Sequence, residues 1–102
     1  MTTSLQVLYP VTENTKFDHA YYTQTHLPLV GEHMDEHIQS TSVSKGLAGG
    51  PDVPAGFYVV ATMIFASMDN LQAALKVAGP VLADIPNFTT VEPQMLIGEV
   101  IA

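Results

Sequence analysis

Residues 57–66 read FYVVATMIFA, an uncharged run that is apolar on both of its alternating sides. Phe57, Val59, Ala61, Met63 and Phe65 fall on one side, and Tyr58, Val60, Thr62, Ile64 and Ala66 on the other. Aromatic and β-branched residues at this density predict a strand. A strand apolar on both sides needs cover on both. Helices of the same chain can supply one cover. The other has to be the glycine-rich segment that precedes the strand or the sheet of a second copy, and a homodimer through sheet faces is the expectation.

The remaining segments fit around that strand. Residues 4–10 (SLQVLYP) alternate Leu5, Val7 and Tyr9 against Gln6 and Leu8, and Pro10 ends the pattern. Residues 38–46 (IQSTSVSKG) place Thr41, Val43 and Lys45 on one face and serines on the other, and residues 95–101 (MLIGEVI) form the last strand. Asp18 caps a helix over HAYYTQTH. Pro28 is expected to break that helix near His26 and to restart it at LVGEHMDE. Asp69 or Asn70 opens a second helical stretch, NLQAALKVAGPVLADI, with Pro80 marking a break or restart. The connection GLAGGPDVPAG, with four Gly and two Pro, reads as a long flexible loop. The order β-α-β-β-α-β defines one α+β domain over 1–102. Its expected form is ferredoxin-like βαββαβ, a four-stranded antiparallel sheet with two helices on one face.

Composition narrows the function. The 102 residues hold Lys16, Lys45 and Lys76, no Arg and ten acids, a net charge of −7. Nucleic-acid binding is excluded, because such surfaces need several cations to displace counterions from phosphates. Bidentate Arg clamps on phosphate or carboxylate are excluded as well. Only 13% of residues are charged, thin cover for the roughly 5,600 Å² that a monomer of this mass exposes. Without cysteine, thiol chemistry, disulfides and Cys-based metal sites are out. No apolar run approaches a membrane span, and MTTSLQVLYP has no basic, cleavable leader, so a cytoplasmic protein is expected.

Asp18, Tyr22 and His26 stand at i, i+4 and i+8, one stripe of the first helix, with Tyr21 beside it. A His next to a tyrosine hydroxyl and facing a sheet can move protons near neutral pH. The same residues also fit a purely structural use, with Asp18 as cap, the tyrosines as core and His26 satisfying carbonyls freed by Pro28. His33 and His37, at i and i+4 in GEHMDEH, have the spacing of two metal ligands but no evident third. They read instead as a solvated helix end, and no metal site is assigned. Lys45 can meet an anionic substrate or oxyanion, or simply snorkel or pair with one of the ten acids. The glycine-rich segment lacks a following Lys-Ser/Thr and a helix, so it is not a phosphate loop. No nucleotide fingerprint is present, and no cofactor is expected.

The strand end LYP, the helix FDHAYYTQTHLPLV and the segments SKGLAGGP and ADIPNFTTVEP resemble the EthD family, over about Leu5 to Val100. The most specific part is the pair of tyrosines preceding His-x-Pro. The resemblance implies a dimeric α/β barrel: a ferredoxin-like protomer whose sheet packs against its twin, with a pocket between sheet and helices. It also implies a link to bacterial degradation of ethyl tert-butyl ether, in which an oxygenase performs the oxidation, and a reductase label often attached to the family. Related dimeric barrels include cofactor-free monooxygenases, muconolactone isomerases and polyketide cyclases or dehydratases. The positions matching the family's polar motif are Asp18, Tyr21, Tyr22, His26 and Pro28, with Lys45 and Asn87 in an outer set. On this reading His26 is the general acid or base, and Tyr22 or Tyr21 stabilises an oxyanion. Lys45, Asp18 and Asn87 contact a small apolar substrate. The alternative is a non-catalytic binder of an apolar ligand, or an accessory protein for a partner oxygenase.

Overall fold

A computed structural model describes residues Met1–Ala102. The strands are β1 (Thr3–Pro10), β2 (Ser40–Lys45), β3 (Phe57–Phe65) and β4 (Gln94–Glu99). They form one antiparallel sheet in the order β2-β3-β1-β4. The helices are α1 (His19–Tyr21), α2 (Leu27–Met34), α3 (Met68–Lys76) and α4 (Gly79–Asp84). They lie on one face, completing the ferredoxin-like arrangement in a slab 38 × 31 × 19 Å. None of them is long and apolar enough to cross a membrane.

The two central strands set the core. Leu5 pairs with Met63, Val7 with Ala61 and Tyr9 with Val59, all buried against the helices. Pro10 lacks the N–H that would continue the ladder, and the register slips between Tyr9 and Pro10. Leu71, Ala74, Ala78 and Val81 present the apolar stripe of α3 and α4 to this layer.

Three local expectations change. The chain does not break at Pro28: α1 and α2 are joined by one π turn over Tyr22–His26. Leu27 N–H donates to the Tyr22 carbonyl, five residues back. The wider turn absorbs a residue that cannot donate, so the helix runs on with Pro28 in the first turn of α2. Second, Ser67, rather than Asp69 or Asn70, caps α3, its hydroxyl accepting from Asn70 N at 3.2 Å. Third, the open face of the sheet is not uniformly apolar. Leu8 and Val60 pair there, but Leu96 and Ile64 are set apart from them by the hydrogen-bonded Gln6–Thr62 pair and by Ser4, while β2 offers Ser40, Ser42 and Ser44. The helices also stop short of β4, leaving Met95 49% and Leu96 56% exposed on opposite sides of that edge strand.

The glycine-rich segment turns back on itself. Gly49 N–H donates to the Val53 carbonyl and Val53 N–H to the Gly50 carbonyl, with Gly50 at φ 141°. At its start, Gly46 N–H donates to Tyr58 at 2.9 Å, and a Cβ there would collide with the Phe57 carbonyl. Gly46→Ala should therefore cost about 1–3 kcal/mol through a forced backbone shift. The check is urea unfolding against Gly31→Ala, where a Cβ meets nothing within 4 Å.

Candidate functional site

Phe88 lies just beyond the short 3₁₀ turn Ile85–Asn87 and packs against five rings. Its centroid is 4.5 Å from His26, 5.1 Å from Tyr22, 5.2 Å from Phe17, 5.7 Å from Tyr9 and 6.3 Å from Tyr21. Tyr22 and His26, four residues apart across the π turn, stack at 5.3 Å with planes 22° apart. Both are 3% exposed.

Asp84, the last residue of α4, is also buried, and it receives three donors. Oδ2 faces His26 Nδ1 at 2.9 Å. Oδ1 accepts from the Tyr21 hydroxyl at 2.7 Å and from Asn87 Nδ2 at 3.0 Å. The Asn87 amide, then the Tyr21 hydroxyl, hold the Asp84 carboxyl below the usual carboxylate range; the His26 ring adds to them against the opposing effect of burial. The same bond pushes the Tyr21 hydroxyl above its ordinary value. An ionised Asp84 can only accept, so Nδ1 carries a proton and donates to Oδ2. No protein group meets Nε2, and no unpartnered buried polar atom is sealed from open space.

A cavity of about 50 Å³ lies between sheet and helices, walled by apolar side chains including Leu5, Val7, Val30, Met34, Ala61 and Ile85. Thr41 and the tyrosines Tyr9 and Tyr22 bring its polar atoms. Neither tyrosine hydroxyl has a partner within the chain, and neither is sealed off. Burial pushes Tyr22 up to about 12, and burial together with Tyr22 raises Tyr9 further. Both remain neutral donors at physiological pH. Tyr22, Leu27 and Val43 also wall a second, open cleft of about 320 Å³ with His19, Thr23, Lys45 and Val59. The cleft adjoins the cavity through these three shared walls, between α1 and the edge strand β2.

The expected residues divide between these two places. Tyr22 lines the cavity, and Lys45 lines the adjoining cleft, on the same sheet face as Val43 and Thr41. His26 and Tyr21 do not line the cavity; they converge on Asp84 behind Tyr22, where Asn87 joins them. His26 thus answers a carboxylate rather than carbonyls loosened by Pro28. Asp18 is exposed and caps α1, Oδ1 accepting from Tyr21 N at 3.0 Å. His37 Nε2 sits 3.3 Å from Glu36, and no three His, Cys, Asp or Glu side chains cluster as a metal ion would require. Asp84 itself was missed. Its signal was an acid at the end of the stripe 71, 74, 78, 81, 84, where the spacing calls for an apolar residue.

A ferredoxin-like domain with an apolar cavity under its helices and a His–Asp pair at the cavity's back is the class defined so far. The EthD domain model matches residues 13–92, and the chain belongs to the EthD family. An EthD-like protein from Ralstonia eutropha JMP134 shares 36% identity, covering 99% of this chain and 93% of its own, with a TM-score of 0.88. An ethyl tert-butyl ether D (EthD) family protein from Bacillus halodurans C-125 shares 22% identity over 99% of this chain and all of its own, at TM-score 0.70. A dimeric protein of ferredoxin-like fold from Bacteroides fragilis NCTC 9343 shares the fold at 12% identity and TM-score 0.55, covering 97% of this chain and 96% of its own. Among curated proteins nothing matches.

Asp84 ties stability to pH in a fixed direction. Its folded carboxyl is more acidic than in the unfolded chain, so its contribution is complete above the unfolded value of about 4 and fades as pH falls through the lower folded value. Asp84→Asn should lose about 1–3 kcal/mol at pH 7 by leaving donors facing a poorer acceptor. The gap from the wild-type should shrink toward pH 2, measured by urea unfolding.

Proposed function

We propose that this EthD-family protein takes a small, predominantly apolar organic molecule into the cavity between sheet and helices, and that His26 shifts a proton on it. The supporting observation is Tyr22. It is buried, its neutral hydroxyl has no partner, it lines the apolar cavity, and its ring stacks on a histidine that Asp84 orients. Few polar groups in an apolar enclosure suit recognition of such a molecule. An imidazole held by a carboxylate has the base-and-orienter arrangement of proton-transfer sites. Tyr22 then donates to a developing oxyanion, while Tyr21 and Asn87 position Asp84. Isomerisation, dehydration or cyclisation asks for an acid, a base and an oxyanion donor; Tyr22 offers the donor at the cavity wall, and His26, stacked behind it, reaches a bound molecule when the Tyr22 ring turns aside. Degradation or modification of small organic compounds, in the cytoplasm, is the setting that fits such a protein.

The place of His26 behind Tyr22 favours a second reading, in which the chain binds its ligand without transforming it and serves a partner oxygenase. Native mass spectrometry of the freshly purified protein gives the co-purified molecule on which the two readings part. On the catalytic reading, His26→Ala and Tyr22→Phe each lower turnover of that compound at least a hundredfold. Full turnover in both variants removes the assignment.

The same protein is proposed to work as a homodimer through its open sheet face. One chain exposes 6280 Å², roughly 700 Å² more than a compact monomer of 11.0 kDa. That excess is close to one partner's share of a standard interface. The B. fragilis protein of this fold is described as dimeric. Sedimentation at micromolar concentration should give about twice 11.0 kDa, and Val60→Lys should shift it to the monomer. A wild-type monomer under those conditions would overturn the proposal.

A further inference from the structure

The charge inventory is lopsided: ten carboxylates against three lysines. None of the three lysines meets a carboxylate; the acid–base contacts are His26–Asp84 and His37–Glu36, both with histidines. Of the lysines only Lys45 lines a cleft. No carboxylate lines the cleft in which Lys45 stands. Asp18, beside His19 in sequence, acts on that ring from outside the cleft wall and accepts from the Tyr21 backbone N–H.

The cleft adjoins the cavity, with Tyr22, Leu27 and Val43 in the walls of both. At about 50 Å³, the cavity is well below the roughly 150 Å³ that accepts a benzene ring. It can therefore enclose only one end of an organic molecule. The adjoining 320 Å³ cleft, beside Lys45 and His19, offers room for the rest. His19 registers the uncompensated charge there. Partial burial first, and Lys45 second, lower its pKa against the opposing pull of Asp18. At neutral pH it is thus an uncharged hydrogen-bonding ring next to the exposed Lys45 side chain.

Resting on the cavity reading above, we infer that the ligand is an organic anion: an apolar body in the cavity and one negatively charged oxygen group in the cleft, between Lys45 and His19. A lysine ammonium is a point charge without the fork that selects planar bidentate groups, so carboxylates and ionised phenols or enols share the required chemistry. No acid in the cleft wall repels them.

The test is NMR titration of the intact protein at pH 8 with hexanoate, 4-nitrophenolate, 1-hexanol and hexylamine, following the Tyr22 and His19 ring signals. Hexanoate or 4-nitrophenolate should bind at least fivefold more tightly than hexanol, with hexylamine weakest, and whichever anion leads names the head group. Lys45→Met should abolish the preference for anions while leaving hexanol binding unchanged, and Lys45→Arg should keep the preference. Equal binding of hexanol and both anions, or a preference that survives Lys45→Met, overturns the anion assignment and leaves the cavity reading standing. Tyr22 signals that no member of the series moves would overturn both.

Discussion

One buried carboxylate organises the helical layer. Asp84 sits among apolar and aromatic side chains, where an unsatisfied charge would be costly. The chain meets that demand with donors from three places: His26 in the π turn, Tyr21 at the end of α1 and Asn87 one turn beyond Asp84. Because the donors lie some sixty residues apart in sequence, the carboxylate fixes how the first helical stretch sits against α4. That fixes where Phe88 packs and how Tyr22 is held at the cavity wall. The histidine's tautomer follows from the same contact. A single ionised group thereby couples tertiary packing to the protonation pattern of the site.

Much of the fold could be read from periodicity. The four strands, the restart at Pro80 and the Asp18 cap all follow from local chemistry, because alternation and capping are decided by neighbours in sequence. The π turn was not legible. A proline after a histidine signals missing hydrogen bonding, but whether the chain breaks or widens its turn depends on what the helix packs against. Asp84 was hidden for a related reason. Its partners lie on another helix, and at the edge of a helical stretch an acid ordinarily means solvent. Asn87 was noticed only through family resemblance, and its use, as a donor to Asp84, belongs to the 3₁₀ turn.

The low charge content also divides differently from what composition suggests. The open sheet face is apolar only in patches, Leu8 with Val60 and then Ile64 and Leu96 apart, with Gln6 and Thr62 between them and serines on β2. The rest of the uncovered apolar surface lies on β4, an edge strand the helices do not reach. Scarcity of charge inside the protein has another effect. In a cleft without carboxylates, one lysine sets the local electrostatic character, whatever the overall sign of the molecule.

The π turn holds one residue more than a regular helix would use over the same height. Deleting a single residue between Tyr22 and His26 would yield an ordinary α-helix with a full complement of hydrogen bonds. It would also rotate everything on one side of the deletion by about 100°, separating the histidine from Asp84 while leaving helix content intact. The site is therefore encoded in the length of this segment as much as in its residues, and alignments that slide a gap through 22–26 will compare side chains that point in different directions.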